Sequence, residues 1–439
     1  MSIPLTPSKP ALPKTVPTAP KPSEKSAAKP SVKPAERLVS LDAYRGFIML
    51  AMASGGLGLG AAAEKVNAKA LAEKLPKNET LDFLASQVDH VPWVGCVFWD
   101  LIQPAFMFMV GVSMAYSYAS RQARGQGYPR MFGHALFRSI VLVLLGVFLT
   151  SNWSKQTNFV FTNVLCQIGL GYTFLFLLWN RPPVWQFAAA VLILLADWGL
   201  FMAYPAPPAD FDFGKVGVPA DWKHLTGGAA HWDKNTNVAA DADRVFLNWF
   251  PQEKKFEFNG GGYTTLNFVP SLATMIFGLL AGGLMRSERG AGAKLGWLVV
   301  SGLVCLGVGY ALGRYDICPL VKRIWTPSWA IYSTGWVLLM LAGFYLVVDV
   351  IGLRLAALPL VVVGMNSILI YCMAQLIGGW ISQTLQRHFG EGLFTFYGVT
   401  FHDQRFDPNY APIVQMSLVL LVMWLVCVWL YRQRIFVRI

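Results

Sequence analysis

The sequence predicts an all-α, polytopic transmembrane helical bundle of about ten spans, with the N and C termini in the cytoplasm. Three observations support this fold class: 55% of the residues are hydrophobic, only 14% are charged, and the mean hydropathy is +0.45. Soluble domains carry charge at about a quarter of their positions. Because lipid offers the backbone no hydrogen-bond partners, we expect the spans to be helices.

Ten apolar windows approach or reach the length of about 20 residues that a helix needs to cross a bilayer. In chain order they cover residues 42–60, 97–119, 134–150, 159–180, 184–204, 264–285, 295–313, 328–350, 359–380 and 412–431. The first window contains GGLGLG, residues 55–60, which no strand precedes and whose spacing does not match a nucleotide loop. We interpret this run as a place of close helix packing.

The net charge of +12 is concentrated in alternate connections. Lys and Arg are enriched before the first window and follow the even-numbered windows, at Arg121, Arg124, Arg130, Arg181, Arg286, Arg289, Lys294, Arg354, Arg432, Arg434 and Arg438. The positive-inside rule therefore places both termini in the cytoplasm. Since topology accounts for the charge, we expect no nucleic-acid partner.

Two segments differ from the apolar remainder of the chain. Residues 1–36 consist mainly of Pro, Lys, Ser and Ala and predict a disordered cytoplasmic tail. Residues 37–439 form the predicted transmembrane domain, whose first span is expected to serve as the insertion signal. Within it, residues 205–263 are too long for an ordinary connection, and we expect them to pack as a cap over the outer face.

A histidine and an aspartate lie at the mouth of the second window. Ionisable groups at membrane depth are costly and are therefore functional candidates. On one straight helix His90 and Asp100 would be roughly 15 Å apart, but a turn at Pro92 and Gly95 can bring them together. His90 is then a candidate general base that Asp100 orients. The alternatives are a solvated loop histidine and a carboxylate that stabilises the first turn of a helix.

Further candidates fall into two groups. Arg45 and Arg138 lie on the predicted cytoplasmic side and can bind the phosphates of coenzyme A, although snorkelling to the interface also explains Arg45. The candidates for acceptor binding are Asn267, Lys322, Trp325, Asn366 and Ser367. Interfacial anchoring and hydrogen bonds between helices are the alternatives for this second group. The remaining histidines lack metal-ligand spacing, so no metal is expected.

Four segments together resemble the heparan-alpha-glucosaminide N-acetyltransferase family and its bacterial relatives, a branch of the multi-pass membrane acyltransferases. These are SLDAYRG from Ser40, HVPWVGCVFWDLIQPAFMFMVGVSM from His90, KRIWTPS from Lys322 and GMNSILIY from Gly364, in the family order. The resemblance implies transfer of acetyl from cytoplasmic acetyl-coenzyme A to an amino sugar across the membrane. It also implies that His90 and Asp100 share the active site and that Asn366 and Ser367 line a central cavity.

The chain departs from the family pattern at two places. Gln167 in VLCQIG occupies the position of a family arginine, and NGGGYTTLNFVPS lacks the family's Asp-Pro-Glu-Gly approach. Both departures concern recognition of the acceptor. Whether the histidine carries the acetyl group or acts as a base in direct transfer is left open by the resemblance.

Our hypothesis from the sequence is an acetyl-coenzyme A-dependent N- or O-acetyltransferase, multi-pass in a bacterial inner membrane. Its expected partners are membrane lipid, an amino sugar or glycan acceptor and, as an open alternative to a monomer, a second copy in a homodimer. A transporter of a sugar or lipid-linked intermediate is the alternative, since broken helices and polar residues at midplane suit alternating access. The absence of a convincing internal repeat weakens this alternative. A membrane scaffold would leave Asp100 unexplained.

Overall fold

The computed structural model describes residues 38–395, 400–401, 404–405 and 407–437. Helices dominate this part of the chain, which confirms the all-α class. One small antiparallel ribbon pairs β1 (Thr400–Phe401) with β2 (Gln404–Arg405). The predicted disordered tail, residues 1–36, lies outside the described residues.

The described residues contain fourteen α-helices. They are α1 (Val39–Ala53), α2 (Leu59–Ala72), α3 (Glu79–Gln87), α4 (Ile102–Ala123), α5 (Tyr128–Ser151), α6 (Val164–Leu178), α7 (Pro183–Ala203), α8 (Val238–Phe246), α9 (Phe268–Arg286), α10 (Ala291–Arg314), α11 (Pro327–Phe344), α12 (Arg354–Gly364), α13 (Ser367–Phe389) and α14 (Ala411–Arg432). A π-helical turn, Tyr345–Val350, extends α11.

Eight helical segments in the described residues are long and apolar enough to cross a membrane, and α1 with α2 make a ninth if that bent pair is one span. The prediction of about ten spans is therefore close. The differences lie in two windows. The window 159–180 contains α6, which has only 15 residues. The window 359–380 is divided between α12 and α13, because the helix is broken at residues 365–366.

The GGLGLG run forms the bend between α1 and α2. Gly55, Gly56, Leu57 and Gly58 have φ angles of 54°, 67°, 52° and 67°, in the left-handed region that glycine adopts at little cost. The two helices meet there at 47°. A Cβ on Gly58 would lie 2.5 Å from the carbonyl oxygen of Pro412 at the start of α14. The predicted close packing is thus found at Gly58, and the run also turns the chain.

Helix α4 lies in the interior of the bundle and crosses α9 closely. Gly278 of α9 lies directly against the backbone of Phe108, and Gly111 of α4 lies against the backbone of Met275. Small residues at such crossings let two backbones approach and pack tightly. The crossing fixes α4, whose first turn is preceded by Asp100.

The loop 205–263 is folded. It contains α8 and three short helical turns, Phe213–Val216, Gly227–Trp232 and Leu247–Trp249. Trp232 is fully buried, stacks on Phe201 at the end of α7, and accepts a hydrogen bond from Trp93 Nε1 at its backbone oxygen (3.1 Å). The loop therefore packs against the turn that carries His90.

Candidate functional site

The chain between His90 and Asp100 forms a turn that brings these two side chains together. His90 Nδ1 lies 2.7 Å from Asp100 Oδ1. The turn is held by a backbone hydrogen bond from Gly95 N to Leu320 O (3.0 Å) and by an isolated antiparallel bridge between Val94 and Val321. Gly95 has a φ of 130°, which a residue with a side chain rarely adopts.

Asp100 is buried in the helical turn Phe98–Leu101 that leads into α4, and its side chain is only 1% exposed. Its Oδ2 accepts hydrogen bonds from the backbone amides of Val97 (3.3 Å) and Val91 (3.4 Å). The His90 side chain is 32% exposed. An ionised Asp100 accepts the Nδ1 proton, which leaves Nε2 with its lone pair for an incoming group.

Lys322 is the third member of this cluster. Its Nζ lies 3.0 Å from His90 Nδ1, 3.4 Å from His90 Nε2 and 3.5 Å from Asp100 Oδ1, and the side chain is 5% exposed. Burial lowers the pKa of Lys322 to about 8, against the opposing effect of Asp100. The sequence singled out Lys322 as an acceptor-binding residue, whereas the structure places its ammonium group against the histidine and aspartate.

Three residues near the cluster were not among the candidates drawn from the sequence: Arg323, Lys234 and Tyr263. Arg323 donates from Nη1 to Gly261 O (2.8 Å), and its guanidinium lies 5.3 Å from the ring centroid of Tyr263. Lys234, in the loop, lies 4.5 Å from the ring of Trp222. Burial lowers the pKa of Lys234, and the positive charge of Arg323 lowers it further. Only Arg323 carried a signal in the sequence, since it follows Lys322 and lies two residues before Trp325.

Asn267 and Trp325 support the cluster. Asn267 Nδ2 donates to Arg323 O (2.7 Å), and its Oδ1 accepts from Thr264 Oγ1 (2.6 Å). Trp325 is 1% exposed and donates from Nε1 to Thr274 Oγ1 (3.2 Å). The expectation that Trp325 stacks on a sugar is therefore corrected, because its ring is enclosed in the core. Asn267 uses its amide to hold the backbone of the segment that carries Lys322.

Asn366 requires a correction as well. It lies at the break between α12 and α13 rather than inside a span, and it is fully buried. Its Nδ2 donates to Ile435 O (3.2 Å), and its Oδ1 accepts from Val437 N (2.9 Å). Asn366 thus fastens the C-terminal segment instead of facing His90. Ser367, half-buried, begins α13.

The two predicted phosphate-binding arginines contact different helices. Arg45 donates to Ser113 Oγ on α4 (3.2 Å) and to Asp42 Oδ1 (3.3 Å). Arg138 donates to Tyr172 OH on α6 (3.3 Å), and its guanidinium lies 4.8 Å from that ring. The buried Nε of Arg138 has no hydrogen-bond partner among the described residues.

Arg286 also contacts α4, through a hydrogen bond from Nη1 to Ala115 O (2.9 Å). Two arginines therefore hydrogen-bond to α4 near its middle, Arg45 at Ser113 and Arg286 at Ala115. In the described part of the chain, no group of three or more His, Cys, Asp or Glu residues is placed to hold a metal ion.

The fold and the site define a class: a polytopic helical membrane protein with a buried His–Asp–Lys cluster at the start of an interior span. Residues 79–214, which include His90 and Asp100, match the family model of the heparan-alpha-glucosaminide N-acetyltransferase catalytic region. This match and two relatives of lower identity agree with the resemblance to the heparan-alpha-glucosaminide N-acetyltransferase family that the motifs carry.

The relatives are the human and mouse proteins of that name. The human protein is 24% identical over 323 residues and the mouse protein 23% over 332 residues; each alignment covers 64% of this chain and 48% of the relative. The chain thus spans about half the length of these relatives. Lys322 and Asn366 lie outside the segment that the family model matches.

Proposed function

We propose that this protein is a transmembrane acetyltransferase that moves acetyl from cytoplasmic acetyl-coenzyme A to an amino sugar or related glycan on the outer side. The observation that carries the proposal is the His90–Asp100 pair, 2.7 Å between Nδ1 and Oδ1, with the histidine half-buried and the aspartate enclosed. The relatives' name, which specifies an N-acetyltransferase of a glucosaminide, supplies the reaction and the acceptor class.

In direct transfer, the acceptor nitrogen attacks the thioester carbonyl carbon while His90 Nε2 takes the proton from that nitrogen. The C–S bond then breaks, and the proton passes to the leaving thiolate. Asp100 holds the imidazole by its Nδ1–H and stabilises the positive charge that forms on it. In the alternative route, His90 Nε2 attacks the thioester carbonyl first, the C–S bond breaks and coenzyme A leaves as the thiolate. The acceptor nitrogen then takes the acetyl group from Nε2, and its proton passes to the thiolate. Both routes need the same Nε2 lone pair.

We assign Arg45 and Arg138 to the donor. Arginine presents a planar fork suited to phosphate, and two arginines, Arg45 and Arg286, hydrogen-bond to α4 at Ser113 and Ala115. The distance along α4 from Ser113 to its first residue, Ile102, is about 16 Å at the helical rise. An extended pantetheine arm would bridge this span between phosphates held at one end and the histidine at the other.

The loop 205–263 is proposed as the cap over the acceptor side. Its buried Trp232 bonds to Trp93, three residues from His90, and its Gly261 oxygen binds Arg323. The loop thereby encloses the cluster and would exclude water from the reaction. Lys234 and Tyr263 of this loop would contribute to the acceptor's surroundings.

Release of free coenzyme A by the purified protein in nanodiscs tests the proposal. Acetyl-coenzyme A is supplied with a panel of amino sugars, and His90→Ala is compared with His388→Ala, which removes an exposed imidazole at the end of α13. We expect acceptor-dependent release in the wild type and in His388→Ala and a fall of about 10²-fold or more in His90→Ala. Full activity of His90→Ala would contradict the assignment.

Transport of a sugar is the rival function, and the broken helix at Asn366 and the bend between α1 and α2 are the observations that favour it. Uptake of a labelled amino sugar into proteoliposomes separates the two. Uptake without release of coenzyme A would support the transporter.

A further inference from the structure

Lys322 places a buried positive charge beside His90, the proposed base. We propose that Lys322 is a positioning residue that keeps His90 neutral. Its ammonium group balances the negative charge of the buried Asp100 carboxylate, which without Lys322 would be balanced by a protonated His90 imidazole. This inference rests on the proposed function, since it concerns the base of that reaction. It assigns to Lys322 a role in setting the protonation state of the site instead of a role in binding the acceptor.

The first support is the charge balance around Asp100. A buried carboxylate needs a cation within reach, because its loss of hydration is otherwise uncompensated. Its Oδ1 faces two groups able to carry that charge, the imidazole of His90 at 2.7 Å and the ammonium of Lys322 at 3.5 Å. Oδ2 faces only backbone amides. The pair Asp100–Lys322 therefore balances its own charge and leaves His90 free to be neutral.

The second support is the closeness of Lys322 to the ring. Its Nζ lies 3.0 Å and 3.4 Å from the two ring nitrogens of His90. A protonated imidazole would place two positive charges in contact at a site of low solvent exposure, where they are poorly screened. The neutral imidazole avoids this repulsion.

The third support is that the backbone fixes Lys322 in place from both sides. Val321, before it, pairs with Val94 in the turn that carries His90. Arg323, after it, has its carbonyl bound by Asn267 and its guanidinium bound to Gly261 O. The ammonium is therefore positioned by the fold and not by a flexible surface chain.

Five other titratable groups lie around the cluster, and the buried ones among them add no negative charge near pH 7. They are Asp89, Cys96, Lys234, Tyr263 and Arg323. Asp89 is exposed and accepts the backbone N–H of His90. Burial raises the pKa of the Cys96 thiol to about 12 and that of Tyr263 above its usual value, so both are neutral near pH 7. Arg323 and Lys234 add positive charge, which disfavours an imidazolium further.

Lys322 is still charged near pH 7. Burial lowers its pKa to about 8, so the ammonium form predominates by about tenfold at pH 7. The pair Asp100–Lys322 is therefore present under the conditions in which a histidine base operates.

Lys322→Met is the informative substitution, since it removes the cation and keeps a flexible apolar stem. The Asp100 carboxylate should then stabilise the protonated imidazole of His90, so that Nε2 carries a proton at neutral pH. We expect the acid limb of the profile of kcat/KM against pH to move to higher pH by about one unit or more. Activity at pH 6.5 should fall about tenfold or more and recover in part at pH 8.5.

Two companion variants separate charge from packing. Lys322→Arg retains the cation, and we expect its acid limb to stay close to that of the wild type. In the double variant Lys322→Met with Asp100→Asn the carboxylate is also gone, so the acid limb should return toward lower pH although turnover stays low. Lys65→Met, at an exposed position of α2, is the matched control.

A purely structural role for Lys322 predicts something else, namely a loss of activity in Lys322→Met that is the same at every pH. That result, or an unchanged profile, would overturn the proposal. The ring protonation of His90 is measured independently by NMR of protein carrying ¹⁵N-labelled histidine, with the His90 signals assigned by difference from His90→Gln.

We expect a neutral ring at pH 7 in the wild type and a protonated ring in Lys322→Met. Because the NMR measurement needs no turnover, it tests the inference even if no coenzyme A is released, in which case the proposed function alone fails. An identical ring titration in the two proteins would also overturn the inference.

Discussion

At the scale of single residues, the site depends on how completely Asp100 is enclosed. Its carboxylate is 1% exposed and faces His90, Lys322 and two backbone amides. A carboxylate held in this way fixes one tautomer of the imidazole, with the proton on Nδ1 and the lone pair on Nε2. The ability of His90 Nε2 to accept a proton therefore depends on Asp100, ten positions along the chain.

Asp100→Asn tests this dependence. The amide is nearly isosteric but neutral, and its NH₂ group can donate to Nδ1 and so favour the tautomer with the proton on Nε2. We expect turnover to fall by about 10²-fold or more, while binding of coenzyme A, followed by calorimetry, stays close to that of the wild type. Turnover within a factor of two of the wild type would show that Asp100 does not orient His90.

A second buried carboxylate, Asp243 in α8, links stability to pH. Its Oδ2 accepts the backbone N–H of Thr265 (2.8 Å), and burial raises its pKa to about 6. Between about pH 4 and pH 6 the folded protein retains a proton that the unfolded chain has lost. The free energy of unfolding should therefore fall as the pH rises through this window, by an amount on the order of 3 kcal/mol at about 1.4 kcal/mol per pKa unit.

Asp243→Asn should remove this contribution, because the amide oxygen still accepts from Thr265 N and does not titrate. Thermal unfolding in detergent at pH 4.5 and pH 7 is the measurement. Asp210→Asn, which changes an exposed carboxylate of the same loop, should retain the wild-type difference between the two pH values. A pH dependence that is equal in Asp243→Asn and the wild type would contradict the assignment.

At the scale of elements, interruptions of the helices decide what the polar residues do. The turn before α4 brings His90 to Asp100, and the left-handed run at Gly55–Gly58 bends the first helix away from the second. At the break between α12 and α13, the Asn366 side chain hydrogen-bonds to backbone groups of the C-terminal segment. Each interruption thus binds another part of the chain.

Asn366→Ala distinguishes a structural from a substrate-binding role. Removing the amide deletes its two part-buried hydrogen bonds, to Ile435 O and from Val437 N, each of which contributes about 0.5–1.5 kcal/mol. We expect a lower melting temperature and an unchanged KM for the acceptor, measured in the coenzyme A release assay. A large increase of KM at unchanged stability would instead restore the cavity-lining role that the family resemblance implied.

At the scale of the whole molecule, the bundle separates two chemically different ends. Arg45 and Arg286 contact α4 at Ser113 and Ala115, while His90 and Lys322 lie near the start of this helix, beside Asp100. This polarity suits a reaction whose donor and acceptor come from opposite sides of a membrane. It also agrees with the distribution of positive charge in the connections.

Labelling with a membrane-impermeant maleimide in right-side-out vesicles tests the orientation. Single cysteines at Asp210 and at Arg289, in a variant whose six native cysteines are replaced, report on the two sides. We expect Asp210→Cys to react in intact vesicles and Arg289→Cys to react only after permeabilisation. The opposite pattern would invert the topology and place the arginines of α4 outside.

The helices were largely predictable because hydropathy is a local property. Every predicted window overlaps a helix, since a long apolar run in lipid has no other way to satisfy its backbone. The breaks were predictable only where glycine or proline marked them, as at Pro92 and Gly95. The break at residues 365–366 directly follows Gly364, but this glycine also packs against the backbone of α1 and its window appeared continuous.

The sequence by itself determined the class of protein and predicted the pairing of His90 with Asp100, which are ten residues apart and joined by a recognisable turn. Only the tertiary structure decided that Lys322 joins them, that Trp325 is enclosed and that Asn366 holds the C-terminal segment. The contact from Lys322 to His90 joins residues 232 positions apart. Such contacts depend on how whole helices pack, and no local pattern of residues specifies them.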